Sequence, residues 1–171
     1  MTVPIDIAKI HWSGVGIAAF QVRGQQPVNE LLARDPTATV NMEQRAQLLH
    51  DPVQGRVVLV LHVQMQALVG KPAKPIDLGG KFELQFFYDV ENLAELMLTD
   101  EAYAEPVVHP QLGIMLAAIA YSTARGILWT RLAGTPLEGI SLPIIKPHTL
   151  FQAPPAKRAK KATSPPPSKP R

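Results

Sequence analysis

The chain contains no cysteine. Disulfides and thiolate metal sites are therefore excluded, and a reducing cytosol is compatible with it. No glycine-rich phosphate loop, His-Glu-x-x-His or Gly-x-Ser-x-Gly occurs anywhere in the sequence. The five histidines, His11, His50, His62, His109 and His148, never fall three or four residues apart. No helix can then present two of them on one face to a metal. The first residues lack a basic stretch followed by an apolar run, so no secretory leader is expected. Aromatic residues make up only 6% of the chain. Nothing in this inventory points to an enzyme, a metal or a cofactor. Glu91, Glu95, Asp100, Glu101 and Glu105 form a local acidic cluster, whose plain reading is a solvated face.

Charge is unevenly divided. Six of the 17 Lys and Arg residues lie beyond residue 151, at Lys157, Arg158, Lys160, Lys161, Lys169 and Arg171, with no acid among them. Residues 1–151 then hold 11 basic against 14 acidic side chains, a net charge of −3. The body gives no reason to bind nucleic acid. The segment 152–171 reads as a disordered, basic, Pro-rich tail. Any contact with nucleic acid or an acidic scaffold partner is expected through this tail alone. It has no aromatics for base stacking.

What the chain does have is 46% hydrophobic residues in a length that allows one domain with a sizeable core. Residues 110–132 are apolar almost all the way round. An ordinary surface helix has one apolar stripe and one polar face. Leu112, Met115, Leu116, Ile119 and Ile127 mark one face, while Ile114, Ala117, Ala118, Leu128, Trp129 and Leu132 spread over the rest. A helix of this kind needs cover on two sides. Its length would suit a membrane span. However, Arg125 lies within it, next to Tyr121, Ser122 and Thr123, and Arg near a bilayer centre costs about 3 kcal/mol on insertion scales. A helix buried on two sides in a water-soluble assembly is the better reading.

Four strand-like stretches precede this helix. The first runs over about 7–22, and its apolar phase switches at Gly14 and Gly16, which predicts a bulge. The second, 39–49, also has a helical reading. In the third, Val57, Leu59, Leu61, Val63 and Met65 alternate with neighbours such as His62 and Gln64. In the fourth, Phe82, Leu84, Phe86, Tyr88 and Val90 alternate with Lys81, Glu83, Gln85 and Asp89. The Gly- and Pro-containing run 69–80 joins these two as a loop, implying an antiparallel pair. A short acidic helix is expected over 91–99. Pro110 suits the first turn of the long helix, and Gly134 its stop. Residues 140–145 read as a short extended apolar segment. Strands first and helices last is an α+β order, with helices on one face of an antiparallel sheet.

Several of these residues together resemble the SecB family of export chaperones over about residues 5–151. Ile7, Lys9, Ile10 and Trp12 are similar to the start of that family's first strand, and residues 57–63 to its third. Gly79 and Gly80 two residues before Phe82 resemble its Gly-Gly-x-Phe. Ala124 and Arg125, then Gly134 and Pro136, then Leu142 and Pro143 resemble the segments leading to its last helix. The resemblance implies a four-stranded antiparallel sheet, a long helix and a short C-terminal helix near 148–151. It implies a cytoplasmic homo-oligomer, dimer or tetramer, which binds unfolded client polypeptides without ATP. Ile145, Lys146 and Pro147 stand where the family has Asn-Phe-Asp, and the tail is basic. Docking on the SecA motor is accordingly not expected. The chain looks more like the divergent SecB-like branch, some members of which guard toxin–antitoxin partners. Under this resemblance the peptide-binding candidates are Phe82, Phe86, Phe87, Tyr88, Ile144 and Phe151, with Phe87 out of phase and so the most exposed. The oligomer-interface candidates are Leu112, Met115, Ile119, Tyr121, Leu128 and Trp129 on the long helix.

Overall fold

The most regular alternation in the sequence sits at the centre of the structure. In the computed structural model, which describes residues 4–99 and 106–152, Val57, Leu59, Leu61, Val63, Met65 and Ala67 are all buried on one face of strand β3 (Arg56–Val69). His62 and Gln64 point to the other face and are exposed. β3 is flanked by β2 (Thr39–Asp51) and β4 (Lys74–Val90). β1 (Ile10–Arg23) lies beyond β4, so the sheet order is β1-β4-β3-β2 with every pair antiparallel. Both β1 and β2 are edges.

Local chemistry shapes the connections. At the β2–β3 hairpin the Asp51 carboxylate accepts from the backbone N–H groups of Val53 at 3.0 Å and Gln54 at 3.1 Å. Gly55 completes the turn at φ 67, a conformation that favours glycine. β4 begins at Lys74, so only a tight turn separates it from β3, and most of the expected loop over 69–80 is strand. Gly79 and Gly80 lie inside β4 because neighbouring backbones come close. A Cβ on Gly80 would stand 2.9 Å from the Gln21 carbonyl oxygen and would strike the Phe82 ring.

The long helix α2 spans Pro110–Arg131, with Pro110 in its first turn and the His109 side chain accepting from the Gln111 N–H. It stops at Leu132, where Gly134 follows at φ 74. Leu112, Leu116, Ala120, Ala124 and Leu128 turn towards the sheet and are buried. Each of these leucines contributes about 1.5–3 kcal/mol by leaving water. α2 is long and apolar enough to span a membrane, yet this face belongs to the core.

Two further expectations need correction. A seven-residue helix α1 (Val28–Arg34) fills part of the β1–β2 connection, where none was anticipated. The acidic helix over 91–99 shrinks to a 3-10 turn at Leu93–Leu96, followed by the two-residue strand β5 (Met97–Leu98) paired with β6 (Val107–Val108). Leu93 and Leu96 are buried, and three residues' spacing suits a 3-10 turn. The short C-terminal helix expected near 148–151 is present as a 3-10 helix, Pro147–Phe151, anchored by buried Leu150. The tail expectation for 153–171 lies outside the described residues, as do Asp100, Glu101 and Glu105 of the acidic cluster.

Candidate functional site

The register of β1 against β4 places Trp12, Val15, Ile17 and Phe20 opposite Tyr88, Phe86, Leu84 and Phe82. Directly opposed residues of an antiparallel pair share a face. These four therefore point to the helix side of the sheet. Their spacing of three, two and three residues would normally scatter them over both faces. Register shifts between Trp12 and Gly14 and between Ile17 and Ala19 bring them into one row. α2 covers β4 but does not extend over β1. Phe82, Leu84, Phe86 and Tyr88 are buried, whereas the facing row is exposed, Trp12 by 56%. Among the described residues, only Phe20 of this row finds an aromatic neighbour, with its ring centroid 5.0 Å from that of Phe82.

Between this row and α2 runs an open groove of about 600 Å³, lined by Val15 and Ile17 on one side and Gly126, Ile127, Thr130 and Arg131 on the other. Nothing lies within 4 Å of where a Cβ of Gly126 would be, so the wall stays low there. The hydroxyls of Thr123 and Thr130 donate to the carbonyls of Ile119 and Gly126, each at 3.0 Å. With those two hydroxyls bonded inside the helix, the exposed face of α2 is mostly apolar as far as Thr130. Ala118, Ile119, Ser122 and Trp129 complete it without a charge.

Two tyrosines fasten this helix, Tyr88 from the sheet and Tyr121 from the helix itself. Tyr88 donates its hydroxyl proton to the Leu116 carbonyl at 3.2 Å, and Tyr121 to that of Pro143 at 2.9 Å. Burial pushes both phenols up to about 12, with the Arg125 charge opposing the shift at Tyr121. Arg125 itself donates from Nε to the Leu142 carbonyl at 3.2 Å. It thereby ties the extended segment after α2 to the helix.

The sheet's other face is polar. Gln21, Glu43, Arg45, His62, Gln64 and Glu83 surround a shallow depression of about 510 Å³. Its ion pairs, His62 Nδ1 to Glu83 Oε2 at 3.5 Å and Arg45 to Glu43 at 3.9 Å, are substantially exposed. Exposed pairs contribute about 0–1 kcal/mol. Among the described residues, no cluster of three metal-ligating side chains occurs.

The proposed peptide-binding residues divide. Phe82, Phe86 and Tyr88 are corrected to core positions, because α2 lies directly on their face of β4. Phe87 is 38% exposed on the polar side, opposite Gly14 and Val58. Ile144 is 86% exposed in the extended segment after α2. Phe151, also exposed, lies beside Gly113 near the start of α2. Phe87 thus stands on the opposite face from Phe151, and the sheet separates them. Among the interface candidates, Leu112, Tyr121 and Leu128 are likewise corrected, since they are buried against the protein's own sheet and C-terminal segment. Met115 is half-buried, and Ile119 and Trp129 are exposed. The β1 row was missed. Its available signals were the phase switch at Gly14 and the absence of any acid between Ile10 and Arg23.

No protein-family profile matches the chain, and no curated protein matches it. Among solved structures, it is similar to the Mycobacterium tuberculosis Rv1957 SecB-like chaperone in complex with a ChAD peptide from the Rv1956 HigA1 antitoxin. The TM-score is 0.56 at 14% identity, over 81% of this chain and 91% of that one. A protein of unknown function from Streptococcus agalactiae matches with TM-score 0.30 at 8% identity, over 79% of this chain and 97% of that one. The fold is α+β and SecB-like: a four-stranded antiparallel sheet, then a long helix and a short 3-10 turn.

Proposed function

We propose that this protein is an ATP-independent, non-enzymatic chaperone of the holdase type, which keeps extended apolar segments of non-native polypeptides out of aggregates in the cytoplasm. The observation that carries this reading is the exposed row Trp12, Val15, Ile17 and Phe20 on an edge strand of the sheet, facing residues 126–130 of α2 across an open groove. An extended client adds a strand to the β1 edge through main-chain hydrogen bonds and drops alternate side chains into the groove. Each apolar side chain that leaves water contributes about 1.5–3 kcal/mol. The likeness to a chaperone solved with an antitoxin peptide supports a polypeptide as the occupant.

Residues 1–151 form the chaperone unit in this reading, and 152–171 a separate tail. Met115, Ile119 and Trp129 form the contact through which a dimer or tetramer assembles, and several grooves on one oligomer raise affinity for a long client. No step needs a cofactor, a metal or SecA. The test is light scattering from a chemically unfolded model protein diluted into buffer without nucleotide. Suppression of scattering at about one oligomer per client supports the reading. Unchanged scattering at a several-fold excess refutes it.

A further inference from the structure

The groove has a charge on one side only. β1 contains no acid, and the first acid after the start of α2 is Glu138, beyond its end. α2 carries two cations. Arg125 is held against the Leu142 carbonyl, as described above. Arg131 is exposed and lines the groove. Among the described residues, no carboxylate lies within ion-pair distance of it. The Glu138 carboxylate accepts instead from the Gly134 N–H at 2.8 Å. Opposite Arg131, the helix-side row of β1 offers only apolar side chains. Among the described residues, the groove therefore ends in a cation with no carboxylate partner, beside low-dielectric walls.

We infer that Arg131 selects clients in which the apolar segment is flanked by an aspartate or glutamate, and discriminates against segments flanked by lysine or arginine. This rests on the groove being the client site. An entering carboxylate meets the guanidinium in a fork geometry suited to two parallel hydrogen bonds. A lysine at the same place meets like charge, with no acid among the described residues at ion-pair distance from Arg131. The groove's apolar walls displace water from one side of the pair, which strengthens both the attraction and the repulsion. The partner is thus an extended, non-native segment of apolar residues ending in an acid.

The test uses three fluorescein-labelled peptides of one apolar sequence, flanked by Asp, Ser or Lys, titrated by fluorescence polarisation against the full chain. The Asp peptide is expected to bind about threefold more tightly than the Ser peptide and about tenfold more tightly than the Lys peptide at low salt. The differences should shrink in 0.5 M salt, where screening acts within about 4 Å. Arg131→Glu should invert the order of the Asp and Lys peptides, and Arg56→Gln, on the opposite sheet face, should leave it as it is. Equal binding of all three peptides overturns the inference and leaves the groove reading standing. Tightest binding of the Lys peptide does the same. If no peptide binds and Val15→Asp lowers the solution mass, a second copy fills the groove, and both readings fall.

Discussion

Phe86 and Phe87 are adjacent in sequence and opposite in environment, and replacing each with alanine measures the register of β4 directly. Phe86 is 1% exposed beneath α2, opposite Leu59 on β3 and Val15 on β1. Removing its ring leaves a cavity between sheet and helix, at a cost of about 3–5 kcal/mol. Phe87 is partly hidden on the polar face, with its ring 3.6 Å from where a Cβ of Gly16 would stand. Its loss opens to solvent instead of leaving a void, so the cost is about 1 kcal/mol. Small domains unfold with about 5–15 kcal/mol to spare, so Phe86→Ala removes a large part of the total. With a urea slope of about 2 kcal/mol per molar, the two midpoints should differ by about 1–2 M. Far-UV circular dichroism is the suitable signal, because Trp12 and Trp129 are more than half exposed and report poorly on the core. Both variants must be compared at one protein concentration, since assembly adds to stability by mass action. Equal midpoints, or a larger loss for Phe87→Ala, would show that β4 faces the helix in the other phase. The groove would then be lined by different residues.

Alkaline pH gives a second check. The phenols of Tyr88 and Tyr121 have an ordinary value of 10 and are pushed up to about 12 by burial. In the unfolded chain they ionise first. Stability is therefore level below about pH 10 and falls as pH climbs towards 12. Urea midpoints measured across that range should decline, and Tyr88→Phe should make the decline shallower; an identical slope in the variant counts against the buried phenol. Charging the exposed face of α2 with Ile119→Asp and Trp129→Asp should lower the solution mass by sedimentation while the circular dichroism spectrum keeps its shape. A mass unaffected by both changes would remove α2 as the assembly surface.

The two central strands are legible in the sequence because their pattern is local. Val57 to Met65 and Phe82 to Val90 alternate strictly, and an alternating strand with one face covered has only one consistent way to sit. The phase switch at Gly14 is equally local and does mark a shift in pairing. What covers each face is a matter of tertiary geometry. Trp12 and Tyr88 sit opposite one another on the same side of the sheet, and only the path of α2 decides that one is open and the other is core. Phe82, Phe86 and Tyr88 were misplaced for this reason. The helix is hard to read for the opposite reason. When nearly every position is apolar, periodicity cannot say which side meets the sheet, so Leu112, Tyr121 and Leu128 pass equally well for core or interface. α1 is a short element between Pro27 and Pro36, with Val28, Leu31 and Leu32 at helical spacing. Too few turns repeat there for that spacing to stand out.

The proposed holdase function requires a non-native polypeptide to be held between β1 and the C-terminal half of α2. A photo-crosslinking residue placed singly at Ile17, in the groove, and at Phe87, on the opposite face, tests it most directly, with a reduced and unfolded model protein as client. A client crosslink is expected from position 17 and is lost when the client is allowed to fold first, with little or none from position 87. Crosslinking from position 87 without position 17 would contradict it.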